Sequence, residues 1–239
     1  MASPRLQHYS RDVFVNGVWD HDDGEHVTIV GRTGSGKSTL GYQLLAQASS
    51  PAKPSVSLMS KPKDKTTNEA QKLFGLRRIR RWPAPFSPFQ PSKPPGFVLR
   101  PDFSYDDDVD KPRHAEVFRS VLRSTYKQGD RIVYAPDLYG LLLRMPELQA
   151  EFETAWLNWR SGGGSLWVDT QKSTHIPLLG FNQPTHLFLF RESDKRGRQR
   201  FNEIGGFDGK VVEDANMALG RHECLYLNQN DQTMCVVEG

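Results

Sequence analysis

The chain has 239 residues, 37% hydrophobic and 25% charged, which suffices for one α/β domain with a buried core and leaves no room for two full catalytic domains joined by linkers. With 31 Lys and Arg against 28 Asp and Glu, the formal charge of +3 does not announce a nucleic-acid binder in bulk, so local charge has to carry that question. Two cysteines, Cys224 and Cys235, both in apolar stretches, argue against a disulfide framework or a cysteine zinc site and read as core thiols of a reducing compartment.

No run approaches the ~20 apolar residues of a membrane span, and residues 1–12 lack the apolar stretch of a secretory signal, so a soluble cytoplasmic protein is expected. Along the chain, residues 12–19 alternate and predict an edge strand turning at Asn16-Gly17. Residues 26–30 predict a β-branched strand ending at Gly31, and residues 38–48 a helix with Leu40, Leu44 and Leu45 at helical spacing. A second strand at 56–59 leads into a basic turn at 61–65. Residues 76–95 are too rich in Pro and Arg for a long helix and predict a short strand near Ile79 followed by a surface excursion. A strand at 97–100 precedes an acidic, solvated loop at 102–110.

Residues 113–127 predict a helix stopped at Gln128-Gly129, and 131–135 a strand. Short and long helices follow at 138–144 and 146–160, the latter ending in Gly162, Gly163 and Gly164. Strands at 165–169 and 186–190, a basic helix at 193–204 and two closing strands at 223–227 and 233–237 complete the reading. Alternating strands and helices mean a mostly parallel central sheet with helices on both faces and a C-terminal strand pair. The expected organisation is a single domain over 1–239, with a core at about 25–206 and a C-terminal extension at 207–239.

Gly31, Arg32, Thr33, Gly34, Ser35, Gly36, Lys37 and Ser38, followed by Thr39, fit G-x-x-x-x-G-K-[ST] between a strand and a helix, as a P-loop requires. Glycines let the backbone wrap a phosphate so that loop N–H groups and the helix N-terminus face the anion. Lys37 is then placed for the β- and γ-phosphates of ATP and Ser38 for Mg²⁺. Such a site needs a carboxylate at a neighbouring strand tip. Asp137, after the strand and Pro136, is the candidate for metal and catalysis, or else only the cap of helix 138–144. Asp169, Thr170 and Gln171 crowd another strand tip: Gln171 is placed for the γ-phosphate or the attacking water, and Asp169 either joins the magnesium shell or is a polar strand exit.

Together the loop at 30–39, the strand and tip at 132–139, the helix end at Trp159-Arg160, the 166–171 stretch and the 186–190 strand resemble the FtsK-HerA superfamily of DNA-pumping P-loop ATPases, most of all compact viral genome-packaging motors. The resemblance spans about 25–206 and implies a RecA-like fold, ATP and Mg²⁺, and a pentameric or hexameric ring acting on double-stranded DNA, with capsid portal or vertex proteins as partners. It implies that Gln171 matches the sensor glutamine and that Arg160 is an arginine finger completing the neighbour's site, the alternative being a cation at a helix C-terminus. Arg144 is second choice for the finger. The family has Asp-Glu where this chain has Pro136-Asp137, so either Asp137 replaces the catalytic Glu with the metal acid missing, or it is the sole acid, or Asp169 compensates.

DNA contact is expected from Arg77, Arg78, Arg80 and Arg81, or from Lys195, Arg196, Arg198 and Arg200, with Lys61, Lys63 and Lys65 as a lesser third stretch. Competing readings are a plasmid or conjugative DNA-transfer ATPase, a small-molecule P-loop kinase whose lid is the 82–95 segment, and an assembly ATPase without a DNA role. Without a nuclease domain, a packaging motor is expected to pump a genome of defined length, at the virion vertex or in host cytoplasm.

Overall fold

A computed structural model describes residues 6–85 and 93–239. Half of the excursion at 82–95 weighed as a lid, residues 86–92, lies outside the described residues.

In chain order the strands are β1 (Gln7–Ser10), β2 (Val27–Val30), β3 (Ser55–Leu58), β4 (Arg77–Ile79), β5 (Gly96–Leu99), β6 (Ile132–Ala135), β7 (Ser165–Thr170), β8 (His186–Phe190), β9 (Cys224–Asn228) and β10 (Thr233–Glu238). The helices are α1 (Arg11–Val13), α2 (Lys37–Ala48), α3 (Lys65–Leu73), α4 (Asp107–Gln128), α5 (Leu138–Arg144), α6 (Gln149–Asn158), α7 (Leu179–Asn182), α8 (Lys195–Gln199) and α9 (Gly209–Ala218). Among the described residues they build one sheet in the order β1-β10-β9-β8-β2-β7-β6-β3-β5-β4. Every neighbouring pair is parallel except the two made by β9, with β8 and with β10.

The central strands are buried on both sides, as continuous apolar runs require of a covered parallel sheet. Their period of two sorts the side chains. Val133, Ala135, Val168 and Leu187 face a layer that contains Phe118 of α4 and Phe152 and Trp156 of α6. Ile29, Tyr134, Trp167 and Phe188 face Leu40 and Leu44 of α2. Cys224 and Cys235 are buried free thiols, and burial pushes them up to about 12 and about 11, so both stay protonated. Among the described residues no helix is long and apolar enough to cross a membrane.

Three predicted elements need correction, and two helices were not predicted. The edge strand is Gln7–Ser10 rather than 12–19, because Ser10 Oγ caps a helical turn by accepting the Val13 N–H and the chain continues as a π-helical turn over Phe14–Val18. Phe14 and Val15 are consecutive and both buried, which an edge strand cannot achieve; Phe14 sits edge-on against Tyr226 at 4.8 Å, a burial worth ~2–3 kcal/mol. The acidic stretch at 102–110 is largely exposed, but it is a loop only as far as Asp106. Asp106 caps α4, which starts at Asp107, and Asp110 is buried, accepting the Ser104 and Tyr105 N–H groups and pairing with Arg113 at 2.6 Å. Helices α3 and α9 were missed; Asp64 and Asp208 cap them, accepting backbone N–H groups three residues on. The basic helix at 193–204 breaks into α8 and a 3-10 turn over Arg200–Glu203.

Candidate functional site

Strand β2 ends at Gly31, whose N–H donates to the Thr170 carbonyl at 3.0 Å and ties the glycine loop to the tip of β7. Gly36 precedes α2 at φ 101°, a conformation other residues adopt only under strain, and no side chain caps the helix. The first N–H groups of α2 are therefore left for an outside anion.

Asp169 is the hub beneath that loop. It is 1% exposed, and its Oδ2 accepts from Ser38 Oγ at 3.1 Å and from the Tyr134 hydroxyl at 2.6 Å, while Oδ1 accepts the Asp137 N–H at 3.0 Å. Lys37 Nζ stands 4.0 Å from Oδ1. Burial, reinforced by the Asp169 charge, raises the Tyr134 phenol well above its usual range and keeps it a donor. Tyr134 reaches Asp169 only because α2 carries a glycine opposite it: a Cβ on Gly41 would lie 2.6 Å from the Tyr134 hydroxyl.

Asp137 takes a left-handed backbone (φ 58°, ψ 54°), tolerable for Asp, and caps α5 by accepting the Gly140 N–H at 3.4 Å. Its other oxygen receives Lys61 Nζ at 2.6 Å. Lys37, Ser38, Lys61, Asp137, Asp169 and Gln171 line one cleft of about 210 Å³. A larger cavity of about 640 Å³ opens on the other flank of the loop, lined by Arg32, Ser35, Phe190, Arg191, Arg221 and His222. The His222 ring donates from Nδ1 to the Ser35 carbonyl at 3.0 Å, and Arg11 donates to the His222 carbonyl at 3.0 Å.

The loop residues Gly31, Arg32, Thr33, Gly34, Ser35, Gly36, Lys37, Ser38 and Thr39 thus lie together with Asp137, Asp169 and Gln171 at one edge of the sheet. The carboxylate that meets Ser38 is Asp169 rather than Asp137. Ser38 Oγ and Asp169 Oδ2 form an all-oxygen donor pair of the kind magnesium prefers, so the residues present fit that ion, with phosphates and water as its remaining ligands. Lys61 and Tyr134 were missed as site residues. The signal available was position: Lys61 follows the second strand on the same edge, and Tyr134 alternates with the residues of β6 that face the α4 side.

Arg160 lies elsewhere. It is exposed in a 3-10 turn just before β7, beside Gly24 and donating to Asn230 at 3.4 Å, so it sits at the N-terminal ends of the strands, opposite its own P-loop. Arg144 pairs with Asp107 at 2.9 Å. Of the basic candidates, Arg78 and Arg81 are exposed, Arg80 pairs with Asp102 at 3.2 Å, and Arg77 lies over the Phe97 ring. Lys195 and Arg196 are exposed on α8. Arg198 and Arg200 are engaged within the chain: Arg198 pairs with Glu213 at 3.0 Å, and Arg200 with Glu203 at 2.6 Å and the Ser173 carbonyl at 2.7 Å.

No family model matches the chain, and no curated protein matches it in sequence. Solved structures do match in fold. The DNA-packaging ATPase from Sulfolobus turreted icosahedral virus superposes with a TM-score of 0.61 at 14% identity, covering 91% of this chain and 98% of that one. VirB4 of Thermoanaerobacter pseudethanolicus gives 0.64 at 11% identity over 89% and 88% of the two chains. The pCW3 conjugation coupling protein TcpA gives 0.53 at 14% identity, covering 90% of this chain and 60% of that one. The chain therefore has the P-loop NTPase fold, and the structures it is similar to are ATPases of the FtsK-HerA type.

Proposed function

We propose that the chain is an ATPase of the FtsK-HerA type that hydrolyses ATP to move double-stranded DNA, acting as a ring of copies in genome packaging. The observation that carries this reading is the meeting of Lys37, Ser38 and Asp169 beneath an uncapped helix N-terminus, on a chain that covers the Sulfolobus virus packaging ATPase almost end to end.

In this reading the loop N–H groups and Lys37 hold the β- and γ-phosphates, and Ser38 with Asp169 holds magnesium. A magnesium ion held by these residues would neutralise charge that develops on the phosphates. Asp169 keeps Ser38 oriented, and Tyr134 keeps Asp169 in place. Asp137 and Gln171, on the same cleft, orient the attacking water, and hydrolysis releases ADP and phosphate. Arg160 faces away from its own loop, which suits a role in the site of a neighbouring copy. Arg78, Arg80 and Arg81 on the β4 edge, and Lys195 and Arg196 on α8, are the candidates for gripping DNA phosphates without reading sequence. A portal or capsid vertex protein is the proposed docking partner, in host cytoplasm or at the virion vertex. The likeness to TcpA supports a second reading in which the same motor serves conjugative DNA transfer.

The test is steady-state phosphate release with and without linear duplex DNA, together with the mass of the particle by light scattering. DNA-stimulated turnover by an oligomer is expected, and Arg160→Ala subunits mixed into wild type should depress turnover by more than their share. Turnover indifferent to duplex DNA from a protein that stays monomeric overturns the reading.

A further inference from the structure

Strands β3 and β6 are neighbours, so the residues that follow their tips emerge side by side. Lys61 comes three residues after β3 and Asp137 two after β6, and they meet with Nζ 2.6 Å from Oδ2 at the mouth of the cleft that Lys37 also lines. Asp137 is thereby engaged on both oxygens: one receives the Lys61 ammonium and the other caps α5 at 3.4 Å. The ammonium draws on the carboxylate's charge and makes it a poorer acceptor for water than a free acid. The other acid on that side, Asp64, is taken up by the Thr67 N–H at 2.7 Å, which leaves Asp137 as the partner of Lys61.

The Lys61 side chain is 48% exposed, and an exposed ion pair contributes little net stability, so a stronger anion displaces it easily. A terminal phosphate with about two negative charges is such an anion. We infer that Lys61 is a second lysine for the terminal phosphate of the bound nucleotide, parked on Asp137 until that phosphate takes it. The inference rests on the nucleotide-site reading above. Its consequence is a check on the nucleotide: a triphosphate moves Lys61 and frees Asp137 to orient water, whereas a diphosphate leaves the pair closed and the acid occupied. Lys37 cannot make this distinction, because the β-phosphate engages it in either case.

The experiment measures, by calorimetry with magnesium, the binding of ADP and of an ATP analogue with a β,γ-methylene bridge to wild type, Lys61→Met, Lys61→Arg and the double variant Lys61→Met with Asp137→Asn. Lys61→Met is expected to weaken the triphosphate analogue about tenfold, the scale of one charge-assisted contact, and to move ADP by less than about twofold. Lys61→Arg should recover most of the difference. Retained ADP affinity reports that the site has folded. The double variant separates contact from screening: continued weakness toward the triphosphate supports direct contact by Lys61, and recovery shows that the lysine only masked Asp137 and overturns the inference. Equal losses for both nucleotides, or no loss, overturn it as well. Wild type that binds neither nucleotide overturns the nucleotide-site reading and this inference together.

Discussion

The two ends of the central strands solve opposite electrostatic problems. At the C-terminal tips, Lys37 stands 4.0 Å from Asp169, beyond hydrogen-bond reach, and the uncapped N–H groups of α2 point at open space. At the N-terminal ends the polar groups are closed on one another. His186 bonds Glu25 and Tyr226, both at 2.9 Å, the Trp167 indole donates to His21 at 3.2 Å, and His26 Nδ1 accepts the Leu166 N–H at 3.0 Å. Burial, helped by the His186 ring, lowers His21 to about 4, and burial, helped by Arg160, lowers His26 to about 4. Burial pushes the Glu25 carboxyl up, but His186 and the Asp22 backbone outweigh it and hold it at about 2. One end is largely paired within the chain, though His26 Nε2 is buried without a partner; the other is open to an anion. The polar residues that matter for chemistry are those whose partners the chain does not supply.

Removing the Asp169 charge attacks the open end directly and carries the largest expected effect. Asp169→Asn should cut steady-state ATP turnover by about 100-fold or more, because it weakens the hold on Ser38 and removes the carboxylate from the magnesium shell. Unchanged phosphate release would take Asp169 out of the site and leave Asp137 as its acid.

Acid attacks the closed end. His26 is neutral in the fold, with a value of about 4, and binds a proton near 6.5 when unfolded. Between those values the unfolded chain holds more protons, so stability rises with pH there and is fully present above about 6.5. It is lost as pH falls toward about 4, with ~3 kcal/mol attached to His26. Thermal melts from pH 7.5 to 4 should show a slope to which His21 and His26 both contribute, and His26→Asn should remove His26's share, about half of it. A variant slope equal to that of wild type would mean that His26 protonates without consequence, and the N-terminal ends would no longer count as closed.

The motif, the strand that feeds it and the parallel sheet were legible because they are local: a β-branched run, glycines at fixed offsets and a helix period. What the sequence did not disclose depends on which strands become neighbours. Asp137 read as the acid nearest the metal, and only the insertion of β7 between β2 and β6 brings Asp169 to Ser38 instead. Lys61 looked like one charge in a basic turn until β3 and β6 paired. Arg198 and Arg200 read as a basic surface because their partners Glu213, Glu203 and Ser173 come from other elements or sit across a turn. The short α3 and α9 escaped notice because their apolar faces are thin, with two and three buried residues, and the caps Asp64 and Asp208 carry much of the signal.

The smallest effect probes how the open end is held in shape. Gly41 lies inside α2, where alanine is normally favoured by ~1 kcal/mol, yet an added Cβ would sit 2.6 Å from the Tyr134 hydroxyl and 3.0 Å from its Cζ. Gly41→Ala should therefore destabilise the chain against the helix preference, and Tyr134→Phe should cost about 1–2 kcal/mol by leaving Asp169 short of a buried donor. Combined, the two should cost less than their sum by about 1 kcal/mol, since the hydroxyl that clashes is the one removed. Urea unfolding of the four proteins measures that coupling. Strict additivity would show that α2 shifts away from β6 without strain, and that the Tyr134 contact follows Asp169 rather than positions it.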